Sequence, residues 1–204
     1  MIGILYPFLY FLVWLGFKTA FFLRLRGLGN VPKRGTPVLV CANHTAYSDP
    51  VFVTMAFGPF RRIRYMAKSS IFKGKVKNFF LRRLGAFPVD QRTGDVASIR
   101  HAIEEIEKGK PVLVFPEGSR RQRGLDEPPA LPGVGLIAVK AECMILPVYI
   151  TPYLAPFRRK SVVVGEPFRP RRSEGERPGE AYRRIAAETL AKIRALGESV
   201  GEGW

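Results

Sequence analysis

Residues 37–57 read PVLVCANHTAYSDPVFVTMAF. The stretch opens on an apolar run, Pro37 to Ala42, behind a Lys33-Arg34-Gly35-Thr36 turn, and such a run predicts a short buried strand. Asn43 to Ser48 is polar and has no period. Asp49-Pro50 then reads as a helix start, with Asp49 as a possible N-cap and Pro50 at the first helical position, leading Val51 to Phe57. His44 therefore falls just beyond a strand end.

The same alternation continues downstream. Ile63 to Ala67 predicts a second strand, followed by a helical stretch through Phe79, Phe80, Leu81 and Leu84 and a strand from Ala86 to Val89. Asp95 starts the clearest helix: Val96, Ile99, Ile103 and Ile106 recur at helical spacing, Arg100, Glu104, Glu105 and Lys108 are free to face water, and Gly109 closes it. Pro111 to Phe115 is another buried strand. Leu136 to Lys140 suits a short helix, Ile145 to Ile150 and Ser161 to Val164 suit strands, and an amphipathic scaffold helix runs from about Glu180 to Leu196. Strands alternating with helices predict an α/β domain with a mostly parallel central sheet flanked by helices, in which ligands gather beyond the carboxyl ends of the strands.

Upstream lies a different kind of sequence. Ile2 to Phe17 is apolar and aromatic apart from Gly3, Pro7 and Gly16, and apolar residues resume at Ala20 after Lys18. A spanning helix needs roughly 20 apolar residues, so this length fits a spanning, interfacial or re-entrant helix. No basic residue precedes the run and no small-residue cleavage site follows it, which argues against a signal peptide. Lys18, Arg24 and Arg26 come after it, and the positive-inside tendency then keeps the body of the protein on the cytoplasmic face of the membrane. The expected organisation is a membrane-associating helical segment over residues 1–26 and an α/β domain over 27–204.

A length of 204 residues suits one domain with a substantial core, and 47% hydrophobic content excludes a disordered chain. The formal charge of +16 favours an anionic partner. Nucleic acid is not expected, because no RNP, zinc-finger or helix-turn-helix signature occurs. Cys41 and Cys143 lie in or beside apolar runs and read as buried free thiols in a reducing compartment. They and the two histidines, His44 and His101, lack metal-ligand spacing, so neither a metal nor a bound cofactor is expected.

The chemistry concentrates in two blocks. In the first, His44 and Asp49 are five apart, a spacing at which neutral imidazole takes a proton from an alcohol while the carboxylate orients it. Imidazole, with an ordinary pKa near about 6.5, suits that task. The second is Phe115-Pro116-Glu117-Gly118-Ser119-Arg120, a turn able to hold an anion through Arg120 and backbone N–H groups, Gly118 allowing close approach. Glu117 cannot bind an anion directly and would anchor the turn, orient Arg120 or hydrogen-bond a substrate hydroxyl. Ser48 raises a rival Ser-His-Asp arrangement, but it adjoins Asp49, lacks the G-x-S-x-G elbow, and is more simply a turn or capping hydroxyl. His101, alone on an amphipathic helix, reads as solvated or packed.

Four blocks occur in order: NHTAYSDP from Asn43, GAFPVDQR from Gly85, FPEGSR from Phe115 and ILPVYI from Ile145. Over about Arg26 to Phe168 the chain resembles the glycerolipid acyltransferase family typified by 1-acyl-sn-glycerol-3-phosphate (lysophosphatidate) acyltransferases. The resemblance implies transfer of a fatty acyl group from acyl-CoA or acyl-carrier protein, as co-substrate, to the free sn-2 hydroxyl of 1-acylglycerol-3-phosphate, giving phosphatidate. It implies His44 as general base and Asp49 as its partner. Glu117, Gly118, Ser119 and Arg120 join Arg92 and Lys68 as the phosphate-binding set, with Asn43, Gly85, Pro116 and Pro147 in supporting places. Three positions depart from the family pattern. Gln91 stands where an arginine is usual, with Arg92 one residue later; Ala46 replaces a small hydroxyl; Pro132 replaces a basic residue before Gly133. Acylation of another lysolipid, of lyso-ornithine or lysophosphocholine type, is the alternative these departures keep open. A non-catalytic basic protein that binds membranes or nucleic acid is the alternative of a different class. Basic patches such as Arg61-Arg62-Ile63-Arg64 and Lys73 to Lys77 fit an anionic bilayer, and the same field would attract an acidic acyl-carrier protein.

Overall fold

A computed structural model describes residues 2–89, 96–121, 129–153 and 157–201, with side chains from Tyr10 onward. Seven strands form one sheet: β1 (Leu23–Arg26), β2 (Val38–Ala42), β3 (Arg64–Lys68), β4 (Ala86–Val89), β5 (Val112–Val114), β6 (Met144–Ile150) and β7 (Lys160–Val164). Their order is β1-β7-β6-β2-β5-β3-β4. Neighbours run parallel except β6 and β7, which are antiparallel. The helices are α1 (Ile2–Ala20), α2 (Asp49–Phe57), α3 (Lys75–Leu84), α4 (Val96–Glu107), α5 (Gly133–Lys140) and α6 (Pro178–Glu198).

The apolar runs are strands buried on both faces. In β2, Leu39 and Cys41 join a core cluster with Ala102 and Ile106 of α4, Ile137 of α5 and Ile185 of α6. Val38, Val40 and Ala42 point the other way, into a cluster with Phe52 and Val53 of α2 and with Trp14 and Phe17 of α1. Alternation at period two against two apolar layers explains why neither β2 nor β6 shows a polar face. On the β3 side, Glu105 of α4 is buried and receives Arg64 at 2.7 Å, Lys110 at 2.9 Å and Lys108 at 3.2 Å. Burial alone would raise its pKa, but the Lys110 hydrogen bond, the Arg64 charge and the Lys108 hydrogen bond overrule it and hold the carboxyl at about 2.

Two sequence expectations change. Residues 23–26, grouped above with the N-terminal segment, form an edge strand whose Leu25 pairs with Val162 of β7. A run of four residues alternating Leu and Arg is too short to stand out beside the apolar stretch preceding it. Asp49 is not the N-cap of α2: Ser48 holds that place without a side-chain cap bond, and Asp49 is the first helical residue. The proposed helix start at Asp95 lies outside the described residues, and the helix is described from Val96. Among the described residues no helix is long and apolar enough to cross a membrane. Helix α1 lies against the domain, with the Tyr10 hydroxyl donating to the Met55 carbonyl at 3.0 Å.

Candidate active site

Adjacent strands β2 and β5 bring the two blocks together. Their register pairs Cys41 with Val114, so His44 and Glu117 each lie three residues past a paired position, at the carboxyl end of the sheet. The His44 N–H donates to Glu117 Oε1 at 3.1 Å, and the Arg121 N–H donates to the His44 carbonyl at 2.8 Å. Side chain and backbone thus cross-link two loops that are 73 residues apart in the chain.

His44 Nδ1 lies 3.0 Å from Asp49 Oδ2. The same oxygen accepts the Thr45 and Ala46 N–H groups, each at 2.7 Å. An oxygen receiving two backbone donors is an acceptor for the third group as well, which puts a proton on Nδ1 and makes Nε2 the ring nitrogen that is open to a substrate. The imidazole stacks on Phe115, with ring centroids 3.9 Å apart and planes inclined by 13°. Asp49 is fully buried, held where α2 begins, a location that favours negative charge. Ser48 Oγ has no hydrogen-bond partner among the described residues, so it is not bonded to the His44 ring and a Ser-His-Asp relay is not assembled.

Glu117 is 3% exposed, and its Oε2 lacks a hydrogen-bond partner among the described residues. Burial pushes this carboxyl up to about 7 against the pull of the His44 N–H and the Arg121 charge, with the Asp49 charge adding to the rise. Of the roles open to it in the sequence, anchoring the turn is the one seen, through the His44 backbone. Gly118 follows at φ +68°, and a Cβ there would come within 2.3 Å of Leu131 Cδ1. Both constraints favour glycine.

These residues open onto a cleft of about 1810 Å³ whose lining includes His44, Pro116, Glu117, Gly118, Ser119, Arg120 and Lys68. Met66, Ile71, Leu81, Val114 and Ile137 extend the lining with apolar surface, and α1 contributes Tyr10 and Val13. The Arg120 guanidinium donates to the Tyr47 hydroxyl at 2.9 Å and sits 3.7 Å from the centroid of its ring. Arg120 and His44 line the same cleft, and a guanidinium is suited to holding an anionic group.

The remaining candidates divide by position. Lys68 ends β3 at the cleft, whereas Arg92 and its neighbour Gln91 lie outside the described residues. Asn43, Gly85 and Pro147 support the fold rather than line the cleft. Asn43 Nδ2 donates to the Ile150 carbonyl at 2.7 Å and its Oδ1 accepts the Ile150 N–H at 2.8 Å, pinning the end of β2 to β6. Gly85, at φ +100°, ends α3, and a Cβ there would meet the Ile63 carbonyl at 2.7 Å. Pro147 pairs with Cys41 of β2, while its carbonyl accepts the Gly165 N–H on the β7 side at 2.9 Å. In a strand a residue's N–H and C=O point the same way, so the donor proline lacks is not one β2 requires. His101 of α4 packs edge-on against Phe87 of β4, ring centroids 4.6 Å apart. Cys41 and Cys143 are buried free thiols.

Tyr47 and Arg121 join the site through the fold, without a motif of their own in the sequence. Tyr47 lies inside the first block, and only the approach of the β5 loop gives it a partner. Arg121 continues the Arg120 run, and both residues line the cleft.

Residues 23–151 match the family model described as Acyltransferase. The chain is 28% identical over 137 residues to the 1-acyl-sn-glycerol-3-phosphate acyltransferase of Streptococcus pneumoniae, covering 67% of this chain and 48% of that protein. It is 28% identical over 146 residues to the Bacillus subtilis protein of the same name, covering 68% and 69% respectively. Among solved structures it is similar to the 1-acyl-sn-glycerophosphate (LPA) acyltransferase PlsC of Thermotoga maritima, with a TM-score of 0.64 and 27% identity over 89% of this chain and 73% of that one. With the matched span running from β1 to just past β6 and enclosing both halves of the site, the chain belongs to the Acyltransferase family.

Proposed function

We propose that this protein transfers a fatty acyl group from acyl-CoA or acyl-carrier protein to the sn-2 hydroxyl of 1-acylglycerol-3-phosphate, forming phosphatidate at the cytoplasmic face of a membrane. The observation that carries the reading is the His44–Asp49 pair at 3.0 Å, with His44 opening onto a largely apolar cleft that Arg120 also lines. Relatives named as 1-acyl-sn-glycerol-3-phosphate acyltransferases support the choice of acceptor.

In this reading Nε2 of neutral His44 takes the proton of the acceptor hydroxyl as its oxygen attacks the thioester carbonyl. Asp49 stabilises the imidazolium that forms. Collapse of the tetrahedral intermediate expels the thiolate, which takes the proton back from Nε2 and leaves as thiol. Ester and thiol are the products, and the base is regenerated. Arg120 and Lys68 hold the phosphate, with Ser119 offering a backbone N–H group, while the Gly118 N–H closes the turn onto the Phe115 carbonyl at 2.9 Å. Much of the acceleration comes from holding hydroxyl and thioester together. No cofactor takes part in this scheme, and the bilayer supplies the amphiphilic acceptor.

The test is phospholipid formation from lysophosphatidate with each donor, comparing wild type with His44→Ala. The expected outcome is product from wild type and a loss of roughly 10²-fold or more in the variant at unchanged melting temperature. Equal product from both removes His44 from the mechanism. A lysolipid panel run alongside decides the acceptor, and indifference to the phosphomonoester overturns the choice of lysophosphatidate.

A further inference from the structure

None of the residues of helix α3 is buried, a feature it shares with the described side chains of α1. Helix α3 packs against the Ser69–Phe72 turn and β4. Val76 is 70% exposed, Phe80 59%, Phe79 55% and Leu84 50%. Around these side chains stand Lys73, Lys75, Lys77, Arg82 and Arg83, all exposed. The charge is one-sided over a longer span: residues 50–89 contain nine Lys and Arg and no Asp or Glu. Exposed aromatic and aliphatic groups among exposed cations, in a segment without acidic residues, are what an interfacial helix presents to a bilayer.

The position of α3 gives that composition a use. Leu81 and Leu84 line the cleft, as does Ile71 of the preceding turn. Helix α1 reaches the same cleft through Tyr10 and Val13 and leaves Phe11, Leu12 and Leu15 exposed. Two helices with bare apolar side chains therefore share one cleft.

We infer that α3 is a second membrane-docking element, lying in the interface of an anionic bilayer so that the cleft opens onto lipid. The charge selects the occupant. A second copy of this chain would bring the same cations to the contact and be repelled. An acidic protein would satisfy the cations but gives no reason for adjacent phenylalanines to stand in water beside an apolar cleft. Anionic lipid satisfies both, with headgroups at the lysines and arginines and the rings among acyl chains. The inference deepens the proposed function by naming the route of the amphiphile, which enters sideways from the bilayer.

The experiment measures sedimentation with vesicles of phosphatidylglycerol and phosphatidylcholine for the whole chain, for Phe79→Ala/Phe80→Ala and for Lys75→Gln/Lys77→Gln. None of the four substituted side chains lines the cleft. Each double variant is expected to bind anionic vesicles roughly tenfold more weakly, with helix content and melting temperature kept. The lysine variant should match wild type on pure phosphatidylcholine. In parallel, turnover of a short-chain lysophosphatidate presented as monomer should stay within about twofold of wild type while turnover of vesicle-borne substrate falls. Unchanged vesicle affinity in both variants overturns the inference. So does an equal loss on monomeric substrate, which would put α3 in the cleft chemistry, or normal vesicle binding with lost response to acyl-carrier protein, which would assign the face to an acidic protein. If the wild type turns over neither substrate, the vesicle arm still decides α3, and the failure belongs to the proposed reaction.

Discussion

At the residue scale, Asp49 joins two tasks on one oxygen. Its Oδ2 accepts the His44 ring N–H and two loop N–H groups, so the group that orients the imidazole also shapes the loop carrying it. Glu117 complements this from the neighbouring strand by holding the His44 backbone. Its burial has a pH signature. With a folded-state pKa of about 7 against an ordinary 4.5, the folded state binds more protons than the unfolded state between those values. Stability therefore falls as pH rises through that window, by up to about 3 kcal/mol. Glu117→Gln removes the group that titrates. Urea unfolding at pH 5 and at pH 7.5 should show the wild type losing stability relative to the variant, and parallel pH dependences would place the Glu117 carboxyl in a solvated setting.

At the element scale, the site depends on how strand ends are tied. Asn43 pairs with both backbone groups of Ile150 and fixes β2 to β6 just before the chain turns into the His44 loop. Asn43→Ala would leave a buried N–H and a buried carbonyl without their partner, at a cost of about 3 kcal/mol. Equilibrium unfolding measures that loss; a change below about 0.5 kcal/mol would mean that water replaces the amide. Gly85 belongs to the same scale. In the sequence it stands in a block whose resemblance points to phosphate binding, but in the fold it terminates α3 at a left-handed φ. The block's aspartate and arginine positions follow β4, at residues outside those described.

At the scale of the whole molecule, the inferred membrane docking would draw on the +16 charge and on the exposed apolar side chains of α1 and α3. Screening acts on the first and not on the second. Raising salt from about 0.1 M to about 1 M shortens the Debye length from about 10 Å to about 3 Å. Binding to anionic vesicles should weaken several-fold over that range without vanishing, because burial of apolar side chains persists. Vesicle sedimentation across a salt series checks this: complete release would make the association electrostatic alone, and no response would make it hydrophobic alone.

Much of this was legible one-dimensionally. Apolar runs bounded by turns marked β2, β5 and β6 because strands buried on two faces leave no polar period to interpret, and helical spacing marked α4 and α6 because each has one wet face. The His44–Asp49 pair was legible because its members stand five apart in the chain, joined by one short loop. The four-residue β1 was not, since an edge strand of alternating Leu and Arg has little local signal and exists by pairing with β7, more than a hundred residues away. Nor was the Asp49 side chain's turn away from capping, which follows from donors that the folded loop supplies. The sequence by itself determined the alternation of strands and helices, the dyad and the excess of positive charge, because these rest on neighbours in the chain. The tertiary structure decided the Glu117 bond to His44, the Arg120 stack on Tyr47 and the sharing of one cleft by α1 and α3, because parallel pairing of β2 with β5 joins segments the chain keeps apart.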